Sequence, residues 1–430
     1  MRRIFVFLAA AAWLCAACTV NPVTGRQQLD LMGESGEVSL GRQFYPSMVQ
    51  GSLGPIEDSA LEARVQAIGD EMARLGHRPQ LEYRFTPVND PQVNAFALPG
   101  GMICITRGML ANLKSEDGMA AVLGHEIGHV TARHAVSHYN RQLLTSALLV
   151  GGGILMEVKE VEYRELYSLG AMIGAQLALA HYSREQERQS DALGMQYAVA
   201  AGYSPKGMLE TMDVLVALQK KAPSGVERLF ATHPMSANRR QAAQERIAGF
   251  SAEIQGRPLR VAEYQRLTRS VQGEQPAWDL AQQGRELMAA KRVPQSLQKL
   301  GEASSLAPRA GVIRTLYAAA LAVAKKPAEA ITEAVAGARF APRSFHARFT
   351  AGELLIPREP ATALGHLAAA EELMPGVAQV SLLQGRALEA TRRRDDAVKA
   401  YREAMERDPS GEVGAEAARR LNAMGMMPVR

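Results

Sequence analysis

His125-Glu126-Ile127-Gly128-His129 sets two imidazoles four residues apart with a carboxylate beside the first. A helix advances about 100° per residue, so His125 and His129 stand about 40° apart around the axis, one turn from each other, and face one point. Glu126 lies about 100° from His125, near enough to reach a water at that point without being a ligand. Zinc hydrolysis requires this arrangement: the ion lowers the pKa of a water to about 7, and the carboxylate takes its proton as the oxygen attacks a carbonyl. Five residues alone are only suggestive. His134 offers no further ligand on this reading, because nine residues from His125 is about half a turn, on the opposite face. A metzincin pattern would need Gly at 132 and His at 135, where the chain has Ala132 and Ala135.

A third ligand must come from elsewhere. In Ser183-Arg184-Glu185-Gln186-Glu187-Arg188-Gln189-Ser190-Asp191, Glu187 and Asp191 are four apart and share a helix face. A glutamate ligand with an aspartate one turn on suits zinc, since the aspartate can accept the other N–H of a ligating histidine and set its tautomer. Glu185 lies about 120° from Asp191 and is the weaker choice; the bland alternative for Glu187 is a solvated helix charge. The elements that must position these groups are a helix from Gly118 to about Ser137 and a second helix after the apolar stretch Gly170–Ala180. Competing chemistries find no support: Gly151-Gly152-Gly153 has no following lysine for a phosphate loop, and no G-x-S-x-G occurs.

With 430 residues, the chain is long enough for two or three domains. Its 22% charged and 47% hydrophobic residues exclude wholesale disorder, and three cysteines exclude a disulfide scaffold. A net charge of +5, smaller still once Arg2 and Arg3 are removed with a leader, is too mild for a nucleic-acid binder. Arg2 and Arg3 precede an apolar run, Ile4 to Ala17, which has the form of a secretory signal and is too short for a membrane span of about 20 residues. Leu14-Cys15-Ala16-Ala17-Cys18 resembles a bacterial lipobox with Cys18 as the lipidated residue, although Cys15 stands where an aliphatic residue is usual. The alternative is ordinary cleavage near Ala17 and a soluble periplasmic protein. Thr19 after Cys18 favours the outer membrane by the same resemblance. Cys104, in an apolar run, is read as a buried inert thiol.

Leu306-Ala307-Pro308, Phe340-Ala341-Pro342, Leu373-Met374-Pro375 and Arg407-Asp408-Pro409 recur at intervals of 34, 33 and 34 residues. A 34-residue period ending in proline marks the tetratricopeptide repeat, a pair of antiparallel helices. Gly385, Ala397 and Ala404 fall where that repeat packs its helices closely, as do Gly284 and Ala303 in the first unit. The third unit departs from the pattern, with Pro357 and Pro360 expected to interrupt it. The organisation expected is a signal at 1–17, a catalytic domain at 18–255, a linker at 256–275 and repeats at 276–424.

Taken in order, the motifs resemble the BepA/LoiP-like branch of the gluzincin metalloproteases, the family that includes HtpX and the CAAX prenyl proteases. The resemblance rests on Asn21-Pro22-Val23-Thr24-Gly25 after the lipobox, Asn94–Gly101 ahead of the helix, the two zinc motifs, and Thr232-His233-Pro234 with Arg239 as an H-P-x-x-x-x-R element. It implies a mainly α fold: a gluzincin-type helical metalloprotease domain with a small β-sheet, followed by an α-solenoid. It also implies one Zn²⁺ per chain held by His125, His129 and Glu187, with Asp191 behind them. Glu126 would assist a zinc-activated water in cleaving misfolded or misassembled envelope proteins. His233 would latch the metal or stabilise an oxyanion, packing being the plain alternative, and Arg239 would contact substrate or position His233. Phe96, Ala97 and Leu98 would form an edge strand to which an extended peptide adds. The segments Leu143–Met156 and Tyr167–His181 would form a plug or touch the membrane. Implied partners are unfolded outer-membrane proteins and outer-membrane assembly machinery bound through the repeats, with no nucleic acid. The competing reading is a chaperone or adaptor of outer-membrane protein assembly with the protease latched.

Overall fold

The computed structural model describes residues 18–141, 182–221, 229, 232–233 and 237–426. The leader at 1–17 and the two apolar segments expected to form a plug lie outside these residues. The chain divides into two compact units. One joins the chain up to Met48 with Asp58–Gln272, and the other joins Val49–Glu57 with Gly273–Arg430. Among the described residues, no helix is long and apolar enough to cross a membrane.

The first unit opens with a small antiparallel hairpin, β1 (Cys18–Val20) and β2 (Gln27–Leu29). Asn21 closes its turn, its Oδ1 accepting the N–H groups of Val23 and Thr24, and its Nδ2 donates to the carbonyl of Ala132. Helix α1 (Gly33–Gly51) follows, then α2 (Ser59–Arg74), capped by Asp58, whose carboxylate accepts from the Ala60 and Leu61 amides. Leu61, Val65, Ile68 and Met72 give α2 one buried face. A three-stranded sheet is ordered β3 (Arg84–Val88), β5 (Met102–Thr106), β4 (Ala95–Leu98), with β5 parallel to β3 and antiparallel to β4. Gly69 of α2 lies so close to the Phe85 ring that a Cβ there would fall 2.3 Å from it.

After the short α3 (Arg107–Asn112) comes α4 (Glu116–Thr131), the H-E-x-x-H helix. Ser115 caps it, Glu116 and Asp117 complement its dipole, and every residue along it is buried. Later in the unit come α5 (Arg184–Ala200), opened by a capping box between Ser183 and Gln186, α6 (Lys206–Lys221) and α7 (Ala237–Ala248). α4 and α5 cross at small residues. A Cβ on Gly194 would meet the His125 nitrogen at 2.6 Å, and one on Gly128 would meet Ser190 Cα at 3.0 Å. The helix expected over 118–137 is broken: α4 stops at Thr131, Arg133 adopts φ +57°, and helix resumes at 134. Neither glycine nor proline marks this break. Arg133 is held instead by buried ion pairs with Glu37 and Asp30, and Glu37 also pairs with the fully buried Arg78.

The stretch 256–275, expected as a linker, is largely folded. Short helices span Val261–Leu267 and Arg269–Gly273, and buried Tyr264 donates its hydroxyl to the Leu110 carbonyl. In the second unit the 34-residue period resolves into helix pairs: Gln275–Ala289 with Val293–Leu306, Gly311–Val323 with Pro327–Phe340, Phe345–Leu355 with Pro360–Leu373, and Ala378–Ala390 with Arg394–Arg407. Helix Glu412–Ala423 ends the array. Pro308, Pro342, Pro375 and Pro409 each sit just past the second helix of a pair. The third pair is intact, contrary to expectation: Pro357 lies in its turn, and Pro360 takes the first position of the next helix, where no amide hydrogen bond is lost. Glycine lets the paired helices approach, with Gly385 against the Tyr401 ring and Gly352 against Leu367. Residues Val49–Glu57 join this unit through Leu53 in its core, the Gln50 side chain bonded to the backbone of Arg343 and Phe345, and an Arg343–Glu57 ion pair.

Candidate metal centre

α4 presents His125, Glu126 and His129, and α5 brings Glu187 and Asp191 to them through the glycine crossing. Four donor atoms, one each from His125, His129, Glu187 and His233, lie within 4.8 Å of one another, and all four residues are buried. The His125 and His129 Nε2 atoms are 3.0 Å apart, and Glu187 Oε1 is 3.3 Å from His129 Nε2. His233 Nδ1 lies 3.0 Å from Glu187 Oε1 and 3.3 Å from His125 Nε2.

The opposite edge of each imidazole is also held. His125 Nδ1 donates to Asp191 Oδ1 at 2.9 Å, which leaves Nε2 with a lone pair. His129 Nδ1 meets His134 Nδ1 at 3.0 Å, and the Tyr182 ring lies against the His129 ring with centroids 3.9 Å apart. Arg239 binds Asp191 through Nε and Nη2, both at 2.7 Å, and Glu187 through Nη1 at 2.6 Å.

Charges follow from this packing. Burial pushes the Glu187 carboxyl up, but the charges of His233 and His125, with hydrogen bonds from His129 and His233, outweigh it and hold the group far below the usual range. Asp191 is likewise lowered, its burial outweighed by His125 and Arg239. Burial keeps His129 well below the ordinary imidazole value and pushes His134 down to about 4, so both are neutral near pH 7. Glu126 shows the reverse balance: burial raises its carboxyl, and His233 and His125 only partly offset that. The imidazole nitrogens of His125 and His129 and the Glu187 carboxylate, converging on a point, make a nitrogen–oxygen donor set that fits a borderline ion such as zinc. Beside Glu126 is a cavity of about 50 Å³ walled by apolar side chains including Met109, Val122, Met208 and Met212.

His125, Glu126, His129, Glu187 and Asp191 therefore meet at one place, together with His233. Arg239, expected to contact substrate or position His233, has its guanidinium on the Asp191 and Glu187 carboxylates and lines the cavity beside Glu126. His134, expected on the far face, lies against His129, because the chain reverses at Ala132–Arg133 and the helical angle no longer counts through it. Phe96, Ala97 and Leu98 lie on the edge strand β4, which among the described residues pairs only with β5; their side chains are buried. Cys18 begins β1, and Cys104 is a buried free thiol raised by desolvation. Tyr182 and Gln189 were missed, and nothing in their spacing distinguishes them.

Residues 59–247 match the profile of Peptidase family M48. The beta-barrel assembly-enhancing protease of Yersinia pestis is 28% identical over 213 residues, covering 49% of this chain and 43% of that one. Its Escherichia coli K12 counterpart is 25% identical over 250 residues, covering 55% and 51%. Metalloprotease LoiP of the same strain is 29% identical over 257 residues, covering 55% of this chain and 96% of its own. The chain thus spans about half the length of the assembly-enhancing proteases it matches. Residues 59–247 are thus similar to peptidase family M48, and helix pairs with a 34-residue period follow them in the same chain.

Proposed function

We propose that this chain is a periplasmic zinc metalloendopeptidase, attached to the outer membrane through a lipidated Cys18, that hydrolyses peptide bonds of misfolded or misassembled envelope proteins. Without lipidation it would be a soluble periplasmic enzyme. The observation that carries the reading is the convergence of His125, His129 and Glu187 on one point, with the carboxyl of Glu126 beside an apolar cavity. These three residues would hold one Zn²⁺. When bound, zinc supplies a Lewis acid that polarises a peptide carbonyl and acidifies water. Glu126, its proton affinity raised by burial, takes a proton from the attacking water and hands it to the departing amine nitrogen. Asp191 fixes the His125 tautomer, and Arg239 holds Asp191 and Glu187 in place. Strand β4, with one edge unpaired among the described residues, offers Phe96-Ala97-Leu98 as an antiparallel partner for extended substrate. The helix pairs would bind unfolded outer-membrane proteins or assembly machinery, in keeping with relatives named for enhancing β-barrel assembly.

A second reading has one observation of its own. His233 Nδ1 stands inside the ligand cluster, so His233 would fill the position that substrate needs and the chain would act as an adaptor while latched. Casein degradation by the mature chain, wild type beside Glu126→Gln, tests the first reading. Cleavage by the wild type alone is expected, with zinc retained by both. Equal cleavage by Glu126→Gln sinks the mechanism, whereas silence from both with cleavage restored by His233→Ala supports the latch.

A further inference from the structure

We infer that His134 and Gln189 form a tautomer relay that sets which nitrogen of His129 faces the metal point; the inference rests on the metal centre proposed above. His129 Nε2 faces Glu187 Oε1 and His125 Nε2, and it can lend its lone pair only if the proton sits on Nδ1. The acceptor for that proton is an imidazole nitrogen, His134 Nδ1, at 3.0 Å. Metal-ligating histidines usually donate to a carboxylate, a backbone carbonyl or water, all of which accept unconditionally. An imidazole nitrogen accepts only when its own proton is on the other nitrogen. His134 Nε2 lies 2.9 Å from Gln189 Oε1, which can only accept, so the His134 proton is drawn to Nε2 and Nδ1 is left free. Each bond settles the next: Gln189 oxygen, His134 Nε2–H, His134 Nδ1 lone pair, His129 Nδ1–H, His129 Nε2 lone pair. The Ser190 hydroxyl, 3.4 Å from His134 Nδ1, is the other polar group at that nitrogen, and as a donor it favours the same tautomer.

One helix thereby serves both histidines. α5 carries Asp191 for His125 and, two residues earlier, Gln189 for His129 through His134. The reversal at Ala132–Arg133 makes this possible, since only a broken helix returns His134 to a residue five positions before it.

The test is zinc affinity of the mature chain, read by competition with a chromogenic chelator, together with the melting temperature of the metal-free protein. Gln189 is half-buried, so its variants should fold. Gln189→Ala and His134→Ala should weaken zinc binding about 10- to 100-fold, the loss usual for partners of ligating histidines. Gln189→Glu keeps an acceptor and should stay within about threefold of wild type, while Gln189→Lys, a donor that reverses the relay, should lose at least as much as Gln189→Ala. A ¹⁵N-resolved histidine spectrum of metal-free protein should show His129 in the Nδ1–H form in wild type and Gln189→Glu, and mixed tautomers in Gln189→Ala. If wild type binds zinc and Gln189→Ala matches it, or if Gln189→Glu loses as much as Gln189→Ala, the relay is wrong and the metal centre stands. If wild type binds no zinc, both fall. Should His134→Ala not fold, the Gln189 variants decide.

Discussion

Gly194→Ala adds one methyl group where α4 and α5 touch, and its effect can be worked out from the distances. The new Cβ would fall 2.6 Å from the His125 nitrogen and 2.7 Å from the Gly124 carbonyl carbon, both backbone atoms that no rotamer change can move. Reaching an ordinary contact of 3.4 Å requires the helices to part by roughly 0.8 Å. Overpacking of this kind costs about 1–3 kcal/mol, and alanine's better helix propensity offsets about 1 kcal/mol, so the net loss of stability should be roughly 0–2 kcal/mol. The site should suffer more. α4 carries His125 and His129, α5 carries Glu187, and metal–ligand distances tolerate only about 0.2 Å. Displacements near 1 Å cost about 100-fold in rate, so zinc affinity and kcat/KM on a fluorogenic peptide should each fall roughly 10- to 100-fold while the protein remains folded. Gly365→Ala, on an exposed turn of helix Pro360–Leu373 with no atom near its Cβ position, should raise stability by about 0.5–1 kcal/mol and leave zinc binding unchanged. If Gly194→Ala binds zinc within twofold of wild type, the crossing does not set the ligand spacing.

Three further outcomes can be measured. Asn21→Ala removes the hairpin turn bonds and the bond to Ala132 and should lower stability in urea by about 1–3 kcal/mol, whereas Asn21→Asp, which keeps the turn acceptor, should lose less; equal losses would show that the turn bonds contribute nothing. Asp191 and Asp30 are held below the ordinary aspartate range despite burial, because His125 with Arg239, and Arg133, respectively, favour the charged forms. Their stabilisation is therefore present above the unfolded pKa and lost as pH falls through the folded values, so the metal-free melting temperature should drop as pH falls from about 4 towards 3; a flat profile there would contradict the assignment. Lys325 holds φ +60° at the turn between paired helices, and Lys325→Gly should stabilise by about 0.5–1 kcal/mol, while a loss of stability would mean that the lysine side chain itself packs usefully.

Much of the molecule is legible in the residues because it depends on local periodicity. Two histidines four apart share a face on any helix, as do Glu187 and Asp191, and a proline-ended 34-residue period implies stacked helix pairs wherever its members sit. These rules span at most one or two helical turns or one repeat. The spacing of Glu187 and Asp191 made them partners for the His125–His129 motif, and the structure shows the glycine-lined crossing that brings the two motifs together. Local rules fail where a distant group overrides them. Arg133 carries no signal of a helix end, yet it turns left-handed because Glu37 and Asp30, about a hundred residues earlier, bury and pair its guanidinium. That single reversal moves His134 from the far face to the edge of His129. Arg239 could be placed near the site from its motif, but not against Asp191 and Glu187, since a guanidinium goes to whichever buried carboxylates the packing leaves within reach. Sequence periodicity thus determined which residues could ligate and where the helices run. Tertiary packing decided which second residue holds each ligand, because those partners meet only across helices far apart in the chain.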